Sequence, residues 1–346
     1  MKSLSRFSRH LRKFRSVICE RHSSSNIDLP TQSRVVVVGG GIIGNSIAYH
    51  LSKHWPGSDN VVLLEQDAIT AGTTWHAAGL MVTYGSLSHT STEMRKYTKK
   101  LYSDTLDPTL SLEVETGQST GFQPIGFIEL ATNKDRLEEF RRVAAFNRHL
   151  CGVDVHEIGP DEVKKRFPLC DTSDVLAGFF VEDDGRVNPV DAANAFCKGA
   201  RMRGAKIKEH VRVEDIEFQI DPMTGRKRVK GVWATPKNSG EKQLIICDYV
   251  VNAGGMWARE LANKSNIVVP NQAAEHYYLI TDKIEGVDPS WPVIEDPSSY
   301  TYIRPEGTDG KLMVGLFEAQ AAPWPQTCNQ LKVPPDFAFG EIEPDW

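Results

Sequence analysis

The sequence predicts an α/β protein in which a mainly parallel sheet is interleaved with a second, mixed α+β domain. A strand, a glycine-rich turn, a helix and another strand follow one another within residues 34–65, the unit from which doubly wound sheets are built. Helical sequence then leads away from this sheet, and the chain is expected to return to it near residue 185. The first domain is therefore assigned to residues 31–95 and 185–265, and the second to residues 96–184 and 266–346.

The opening unit is predicted from apolar runs and the turn residues between them. Residues 34–38 form an apolar strand, residues 42–55 a helix and residues 61–65 a second strand. Helical spacing selects one side of the helix for burial. The expected buried face consists of Ile43, Ile47, Ala48 and Leu51.

Later elements follow from the same periodicities. The spacing predicts helices over residues 134–150 and 189–203, the second ending at Gly204. The predicted strands are residues 176–181, 206–216, 228–234, 243–252, 276–281, 300–304 and 311–316.

The first 30 residues differ from the remainder of the chain. Seven basic residues stand against one acidic residue within residues 1–25, and Leu4, Phe7, Leu11, Phe14 and Ile18 recur at helical spacing. A basic, serine-rich amphipathic leader is typical of a mitochondrial targeting peptide, so residues 1–30 are expected to direct the protein to the mitochondrial matrix. A basic tail or a nucleic-acid-binding arm is the alternative.

Charge and cysteine spacing exclude several classes of function. The formal net charge is −5 with the basic leader included, so the remainder is more acidic still and nucleic acid is not an expected partner. The six cysteines are far apart and include no Cys-x-x-Cys pair, which predicts neither a metal site nor a disulfide framework. No apolar run is long enough to span a membrane.

The glycine-rich turn is expected to bind a dinucleotide. Gly39, Gly41 and Gly44 follow four valines and open a helix, which is the Rossmann-like pattern. The helix N-terminus supplies N–H groups to the pyrophosphate. Glu65 lies 21 residues after Gly44, where a carboxylate accepts hydrogen bonds from ribose hydroxyls. A purely structural turn is the alternative, and the pattern does not separate FAD from NAD.

A histidine segment after the second strand favours a flavin. Residues 72–80 read Gly-Thr-Thr-Trp-His-Ala-Ala-Gly-Leu, with His76 among small residues that let the backbone approach a ring. Neutral imidazole is a competent nucleophile near pH 7 and can attack the 8α-methyl carbon of a flavin. A buried histidine satisfied by hydrogen bonds is the structural alternative.

These residues resemble the mitochondrial sarcosine and dimethylglycine dehydrogenases and their bacterial amine-oxidising relatives. The resemblance extends over residues 34–346, and its most specific parts are residues 72–80, 113–117, 184–189, 251–258 and 276–281. The segment ending in Trp75-His76 is similar to that family's flavinylation motif. The resemblance implies a D-amino-acid-oxidase-like fold, with an FAD-binding Rossmann-like domain interleaved with the substrate domain.

The resemblance also implies a function and a set of cofactor contacts. The expected reaction is oxidative N-demethylation of an N-methylated glycine (sarcosine to glycine), with hydride transfer to FAD linked covalently to His76 and with an electron-transfer flavoprotein as acceptor. Dimethylglycine is the alternative substrate. The expected cofactor-binding residues are Gly39, Gly41, Ile42, Ile43, Gly44, Glu65, Gln66, Gly72, Thr73, Thr74, Trp75, His76, Ala77, Ala78, Gly79, Leu80, Val213 and Trp257.

Three residues are candidates for the substrate side. His276 and Tyr278 are two apart on a predicted strand and so share a face, where they could orient the amine and move its proton. A polar pair packed on a sheet is the alternative. Arg304 is the candidate for binding the substrate carboxylate, because guanidinium matches it in bidentate fashion. A solvent-facing strand arginine is the alternative.

The end of the chain bears on the expected activity. Relatives of the resembled family continue beyond the position of Trp346 with a strand that closes over the flavin and a folate-binding region. Tetrahydrofolate is therefore expected only in a longer form, and the chain is expected to be truncated. Two other functions remain: a non-catalytic relative, the regulatory subunit of pyruvate dehydrogenase phosphatase, and an NAD-dependent dehydrogenase.

Overall fold

A computed structural model describes residues 27–57 and 60–323 of the chain. The strands are β1 (Gln32–Val38), β2 (Val61–Leu64), β3 (Leu80–Met81), β4 (Phe127–Ala131), β5 (Val155–Ile158), β6 (Ala177–Val181), β7 (Gly185–Arg186), β8 (Lys206–Lys208), β9 (Val211–Ile220), β10 (Lys227–Pro236), β11 (Gln243–Asn252), β12 (Tyr278–Ile280), β13 (Val293–Asp296), β14 (Thr301–Glu306) and β15 (Lys311–Leu316). The helices are α1 (Ile42–His54), α2 (His89–Tyr102), α3 (Leu112–Thr116), α4 (Lys134–Cys151), α5 (Pro160–Arg166), α6 (Pro189–Met202) and α7 (Ala258–Asn263).

The first sheet has the order β8-β2-β1-β11-β10-β9. Strands β8, β2, β1 and β11 are parallel, and the long strands β10 and β9 add an antiparallel edge. Successive valines of β1 face opposite sides of the sheet: Val35 and Val37 belong to one buried cluster and Val36 to another. Burial on both faces explains why this strand is continuously apolar rather than alternating.

Helix α1 packs on the first sheet and against α6, and it corrects one prediction. Ile43, expected in the buried face, is 62% exposed. The side that packs against α6 instead carries Ala48 and Tyr49, which are fully buried. Gly199 of α6 lies against the Tyr49 ring, where a Cβ would come within 3.0 Å of it. Small residues allow the close approach of the two helices. The size and apolar character of Ile43 therefore did not predict its burial.

Two boundaries of the first sheet also differ from the prediction. The expected strand over residues 206–216 is two strands, β8 and β9, because His210 adopts a left-handed φ of 59° and turns the chain between them. Leu29, assigned to the leader, is only 5% exposed and packs against this sheet, so the folded domain begins before residue 31. The remainder of the predicted leader, residues 1–26, lies outside the described residues.

The second sheet has the order β12-β15-β14-β13-β4-β6-β5 and is antiparallel except between β13 and β4. The sequence predicts β6, β12, β14 and β15, whereas β4, β5 and β13 are seen only in the structure. One face packs on α4 through Phe140 and Val143, and the other packs on α5 through Val163.

Strands β3 and β7 form a separate two-stranded ladder. Each lies at a point where the chain passes from one sheet to the other: β3 between β2 and β4, and β7 between β6 and β8. The ladder pairs Leu80 with Arg186 and Met81 with Gly185 in antiparallel register. The first sheet takes its strands from residues 32–64 and 206–252, and the second from residues 127–181 and 278–316. No helix within the described ranges is long and apolar enough to cross a membrane.

Candidate cofactor and substrate site

The glycine turn after β1 is shaped by close backbone contacts. Gly39 has a left-handed φ of +110°, and a Cβ there would lie less than 3.0 Å from the Ala253 carbonyl oxygen. A Cβ on Gly44 would likewise come closer than 3.0 Å to the Gly39 carbonyl oxygen. Asn45 holds the turn from inside, donating from Nδ2 to the Gly40 carbonyl oxygen at 2.7 Å. Only glycine fits these two positions, as a phosphate-binding turn requires.

Glu65 stands directly after β2 and is joined to this turn. Its Oε2 accepts the Gly40 N–H at 2.6 Å and its Oε1 accepts the Asp67 N–H at 2.8 Å. Burial raises the pKa of the Glu65 carboxyl, and the two backbone hydrogen bonds oppose that rise. Each carboxylate oxygen retains acceptor capacity beyond its single bond, so the group can also accept from a ribose.

A cavity of about 130 Å³ opens between the turn, Glu65 and the β11–α7 connection. The predicted residues that line it are Gly39, Gly41, Glu65, Gln66, Gly72, Thr73, Thr74, Val213 and Trp257. Lys264, Arg212 and Met256 line it as well and were not predicted. Ile42, Ile43 and Gly44 belong to the adjoining helix and are not among the lining residues. A backbone cradle that a Cβ would fill, with a carboxylate at its rim, fits the dinucleotide part of FAD.

The loop over residues 72–80, called the histidine loop below, is hydrogen-bonded to the start of α1. Thr74, which is buried, accepts the Ile42 N–H on its Oγ1 at 2.9 Å. Gly41 occupies the N-cap position of α1 and has no side chain that could accept a hydrogen bond from the first turn. Thr74 therefore supplies from a distant loop the acceptor that a capping residue normally provides.

His76 lies in the middle of this loop and is half-buried. Its Nδ1 is 3.0 Å from the Gly72 carbonyl oxygen, and its ring meets the Trp75 ring edge-on with centroids 5.1 Å apart. Burial lowers the pKa of the imidazole, although the Gly72 hydrogen bond opposes this. The neutral, nucleophilic form is thus favoured at neutral pH. His76 itself lines neither this cavity nor the one described next.

A second cavity, of about 500 Å³, is lined by later residues of the same loop. Trp75 and Ala77 line it from the loop, and Tyr278 and Arg304 line it from the second sheet. Ala78 takes part through its carbonyl oxygen, which accepts from Arg304 Nε at 2.7 Å. Gly79 and Leu80 lead into the β3–β7 ladder, where Gly79 accepts the Val187 N–H at 2.8 Å.

The three substrate-side candidates are only partly brought together. Tyr278 lies on β12 and lines the second cavity, but His276 precedes that strand and is not among the lining residues. Its Nδ1 lies 2.6 Å from Glu318 Oε2. Arg304 is 4% exposed, so the alternative of a solvent-facing arginine is wrong. Its NH1 group is also paired with the Glu306 carboxylate.

Sequence reasoning missed Arg186, which also lines the second cavity. The turn at residues 184–189 contributed to the family resemblance, but no residue type in it pointed to a ligand. The position of Arg186 at the cavity follows only from the pairing of β7 with β3, and these two strands are about 105 residues apart in the chain.

Comparison with known proteins gives a family for most of the chain. Residues 34–337 match the family described as "FAD dependent oxidoreductase". The chain is 35% identical over 326 residues to 4-methylaminobutanoate oxidase (formaldehyde-forming) of Paenarthrobacter nicotinovorans, covering 94% of this chain and 36% of the relative. It is 33% identical to human mitochondrial sarcosine dehydrogenase, covering 92% and 32% of the two chains.

A relative with a different role is similarly close. The mouse mitochondrial pyruvate dehydrogenase phosphatase regulatory subunit is 34% identical, with 91% of this chain and 33% of that one covered. The chain thus spans about a third of the length of these curated relatives.

Solved structures share the fold. L-proline dehydrogenase from P. horikoshii superimposes with a TM-score of 0.70 at 26% identity, covering 84% of this chain and 71% of that one. The D-amino-acid-oxidase-like α/β fold expected from the sequence, a Rossmann-like domain interleaved with a mixed α+β domain, is confirmed by this match.

Proposed function

The chain belongs to the family of FAD-dependent oxidoreductases, and from this premise we propose that it oxidises the N-methyl group of an N-methylated amino acid such as sarcosine. Two relatives are named for such substrates, sarcosine and 4-methylaminobutanoate, and the second is named as forming formaldehyde. One observation carries the proposal: residues 72–74 of the histidine loop line the dinucleotide cavity, while Trp75 and Ala77 line a second cavity that contains two arginines. The loop thus adjoins both a cofactor site and a site for an anion.

FAD, when bound, supplies a two-electron acceptor for the hydrogen that leaves the N-methyl carbon. The glycine turn and the N-terminus of α1 would hold its pyrophosphate, and Glu65 would accept from its ribose. Thr74 fixes the loop against α1 through the Ile42 N–H, 2.9 Å away. We assign covalent attachment to His76, whose lowered pKa keeps a lone pair on the imidazole at neutral pH.

On the substrate side, the second cavity has to orient an amine and keep it unprotonated, because a protonated amine has no lone pair to stabilise the developing positive charge. Tyr278, exposed at the cavity wall, is our candidate for contact with the amine. His276 is assigned a more distant part, because its Nδ1 is already within hydrogen-bond distance of Glu318. A carboxylate on the substrate is matched by the guanidinium groups in the wall.

We further propose that an electron-transfer flavoprotein accepts the electrons and that the protein is located in the mitochondrial matrix. The support for both is the basic amphipathic leader and the mitochondrial relatives. Tetrahydrofolate is assigned only to a longer protein, since this chain spans a third of these relatives.

Dimethylglycine as the substrate and a regulatory role are the two alternatives. Dimethylglycine differs from sarcosine by one methyl group, which a pocket discriminates by only about 1–3 kcal/mol. A regulatory role without catalysis is favoured by the similarity to the phosphatase regulatory subunit. Against that role stands His76, for which a protein without flavin has no evident use.

Acid precipitation of the purified protein tests the cofactor assignment. We expect the wild-type pellet to keep a yellow flavin chromophore after washing, and the pellet of His76→Ala to lose it. His149→Ala, an exposed histidine on α4, is the matched control and should behave as wild type. A covalent flavin in the His76→Ala pellet would exclude this linkage, and a colourless wild-type pellet would exclude covalent attachment altogether.

Turnover then separates enzyme from regulator. Sarcosine and dimethylglycine are assayed with an artificial electron acceptor, and formaldehyde is measured as the product. We expect formaldehyde from at least one of them. A protein that holds FAD yet oxidises neither substrate would favour the regulatory role.

A further inference from the structure

The wall of the second cavity contains two arginines in different electrostatic states. Arg304, on β14, is buried and engaged through two of its three nitrogens: Nε donates to the Ala78 carbonyl oxygen at 2.7 Å, and NH1 donates to the Pro305 carbonyl oxygen at 3.0 Å and pairs with the Glu306 carboxylate. Its positive charge is therefore already compensated by Glu306. A substrate carboxylate at Arg304 would have to compete with that partner.

Arg186 faces the same cavity without such a partner. Its NH2 donates to the Gly307 carbonyl oxygen at 3.2 Å. Its Nε is buried and has no hydrogen-bond partner among the residues that the structure describes. Within those same residues, no carboxylate forms an ion pair with it. A buried guanidinium N–H without an acceptor costs free energy, and an anion in the cavity would offset the cost of keeping this charge without a counter-ion.

The electrostatic surroundings point the same way. Burial lowers the pKa of the Arg186 guanidinium, and the neighbouring charge of Arg304 lowers it further, with only Glu306 acting in the opposite sense. The guanidinium remains charged at neutral pH because its ordinary pKa is so high. One net positive charge thus stays unneutralised at the wall.

The backbone holds Arg186 in a fixed place. Its N–H and C=O both pair with Gln123, at 3.1 and 2.7 Å, while β7 pairs with β3 on the other side. Gly185 cannot carry a side chain there, since a Cβ would lie closer than 3.0 Å to the Gln123 carbonyl oxygen. Asp184 anchors the start of the turn, accepting from Thr83 and from the buried Lys99. A group fixed in this way binds with little loss of entropy.

The remainder of the cavity suits the carbon part of a small amino acid. Trp75, Tyr278, Ile280 and Met313 supply aromatic and aliphatic surface. A volume of about 500 Å³ lies within the usual range for small-molecule sites. An apolar wall with a single uncompensated cation favours a monoanion that carries an alkylated amine.

From these observations we infer that Arg186, rather than Arg304, binds the carboxylate of the substrate and sets the preference for amino acids over neutral amines. Arg304 and Glu306 act as a neutral pair that positions the loop through Ala78. This inference rests on the proposed function for the identity of the substrate, but the anion site itself does not depend on turnover.

Binding of a small carboxylate tests the anion site apart from catalysis. Propionate and its neutral analogue propionamide are titrated into the flavin-loaded protein and followed by calorimetry and by the shift in thermal midpoint. We expect wild type to bind propionate and not propionamide. Arg186→Gln should weaken propionate binding at least tenfold, the loss typical for a charge-assisted hydrogen bond to a buried group. Arg186→Lys should restore part of it, because the charge returns without the planar fork.

Arg141→Gln is the matched control. Arg141 lies exposed on α4, where it pairs with Glu157, and its removal should leave propionate binding at the wild-type level. Circular dichroism verifies that each variant is folded, and Arg186→Lys keeps the test informative if Arg186→Gln is not. Wild-type propionate affinity in a folded Arg186→Gln protein, or no preference for propionate in wild type, would overturn the inference.

Turnover distinguishes failure of this inference from failure of the proposed function. If wild type binds propionate through Arg186 but oxidises no N-methyl amino acid, the anion site stands and the enzymatic proposal falls. If Arg186→Gln oxidises sarcosine with an unchanged KM, the assignment of Arg186 falls and the enzymatic proposal stands.

Discussion

Replacing Glu129 with Gln should make the protein more stable at alkaline pH, with only a small effect at mildly acidic pH. Glu129 on β4 lies directly opposite Glu295 on the parallel strand β13. Burial raises the pKa of Glu129 to about 8, with repulsion from Glu295 and then Glu139 as further causes. Arg136 and Arg95 oppose the rise. The folded protein therefore binds a proton at neutral pH that the unfolded chain has released.

The sign and size of the effect follow from proton linkage. Since the pKa rises from 4.5 in the unfolded chain to about 8 in the folded protein, stability is highest below the lower value. It then falls as pH rises through this window, and the loss is complete above the upper value. One pKa unit corresponds to about 1.4 kcal/mol, so the shift allows a loss of at most about 5 kcal/mol. Glutamine keeps the shape of the protonated carboxyl and removes this dependence.

Urea unfolding followed by circular dichroism measures the effect at pH values of about 5 and about 9. We expect the variant to be more stable than wild type by less than about 1 kcal/mol at the lower pH, and by about 2 kcal/mol or more at the higher pH. Glu139→Gln, an exposed neighbour on α4 that pairs with Arg136, is the control and should shift stability by less than about 0.5 kcal/mol. Equal pH slopes for Glu129→Gln and wild type would refute the reasoning.

Three further substitutions test the turn, the loop and the core. Gly39→Ala should purify with little flavin by absorbance, because its Cβ would come within 3.0 Å of the Ala253 carbonyl oxygen; a flavin-replete variant would contradict the role of the turn. Gly79→Ala should reduce the acid-stable flavin although His76 remains, because its Cβ would meet the Val187 carbonyl oxygen in the β3–β7 connection; unchanged attachment would show that the loop does not need this contact. Leu63→Ala should lower the free energy of unfolding by roughly 2–5 kcal/mol in urea titration, since the side chain is fully buried.

The first sheet was predictable to the extent that its signals are local. The run of valines, the glycine turn and the acid after β2 fall within about thirty residues, and backbone sterics at Gly39 enforce that turn whatever lies elsewhere. His210 shows where this reasoning ends. Residues 206–216 have a continuous strand-like composition, and only the left-handed backbone at one position divides them between two partners.

The second sheet was harder because its strands are short and find their partners far along the chain. β4 pairs with β13, more than 160 residues later, and β13 has only four residues. Short apolar runs carry no period that separates a buried strand from part of a helix. Arg186 was missed for the same reason, since its role depends on a cavity wall assembled from β7, β12 and β14.

The histidine loop lines both the dinucleotide cavity and the second cavity, so a flavin and a substrate bound there would be coupled through it. Its first part is fixed by Thr74 to the helix that would hold the pyrophosphate, and its last part continues into β3, which pairs with the strand of Arg186. Between them, Ala78 accepts from Arg304. A displacement of this loop would therefore affect both cavities: moving His76, the proposed attachment point of a flavin, would also move the wall of the cavity proposed for the carboxylate. Rigidity at both ends, rather than the imidazole alone, is what would place an N-methyl group at a reproducible distance from the cofactor.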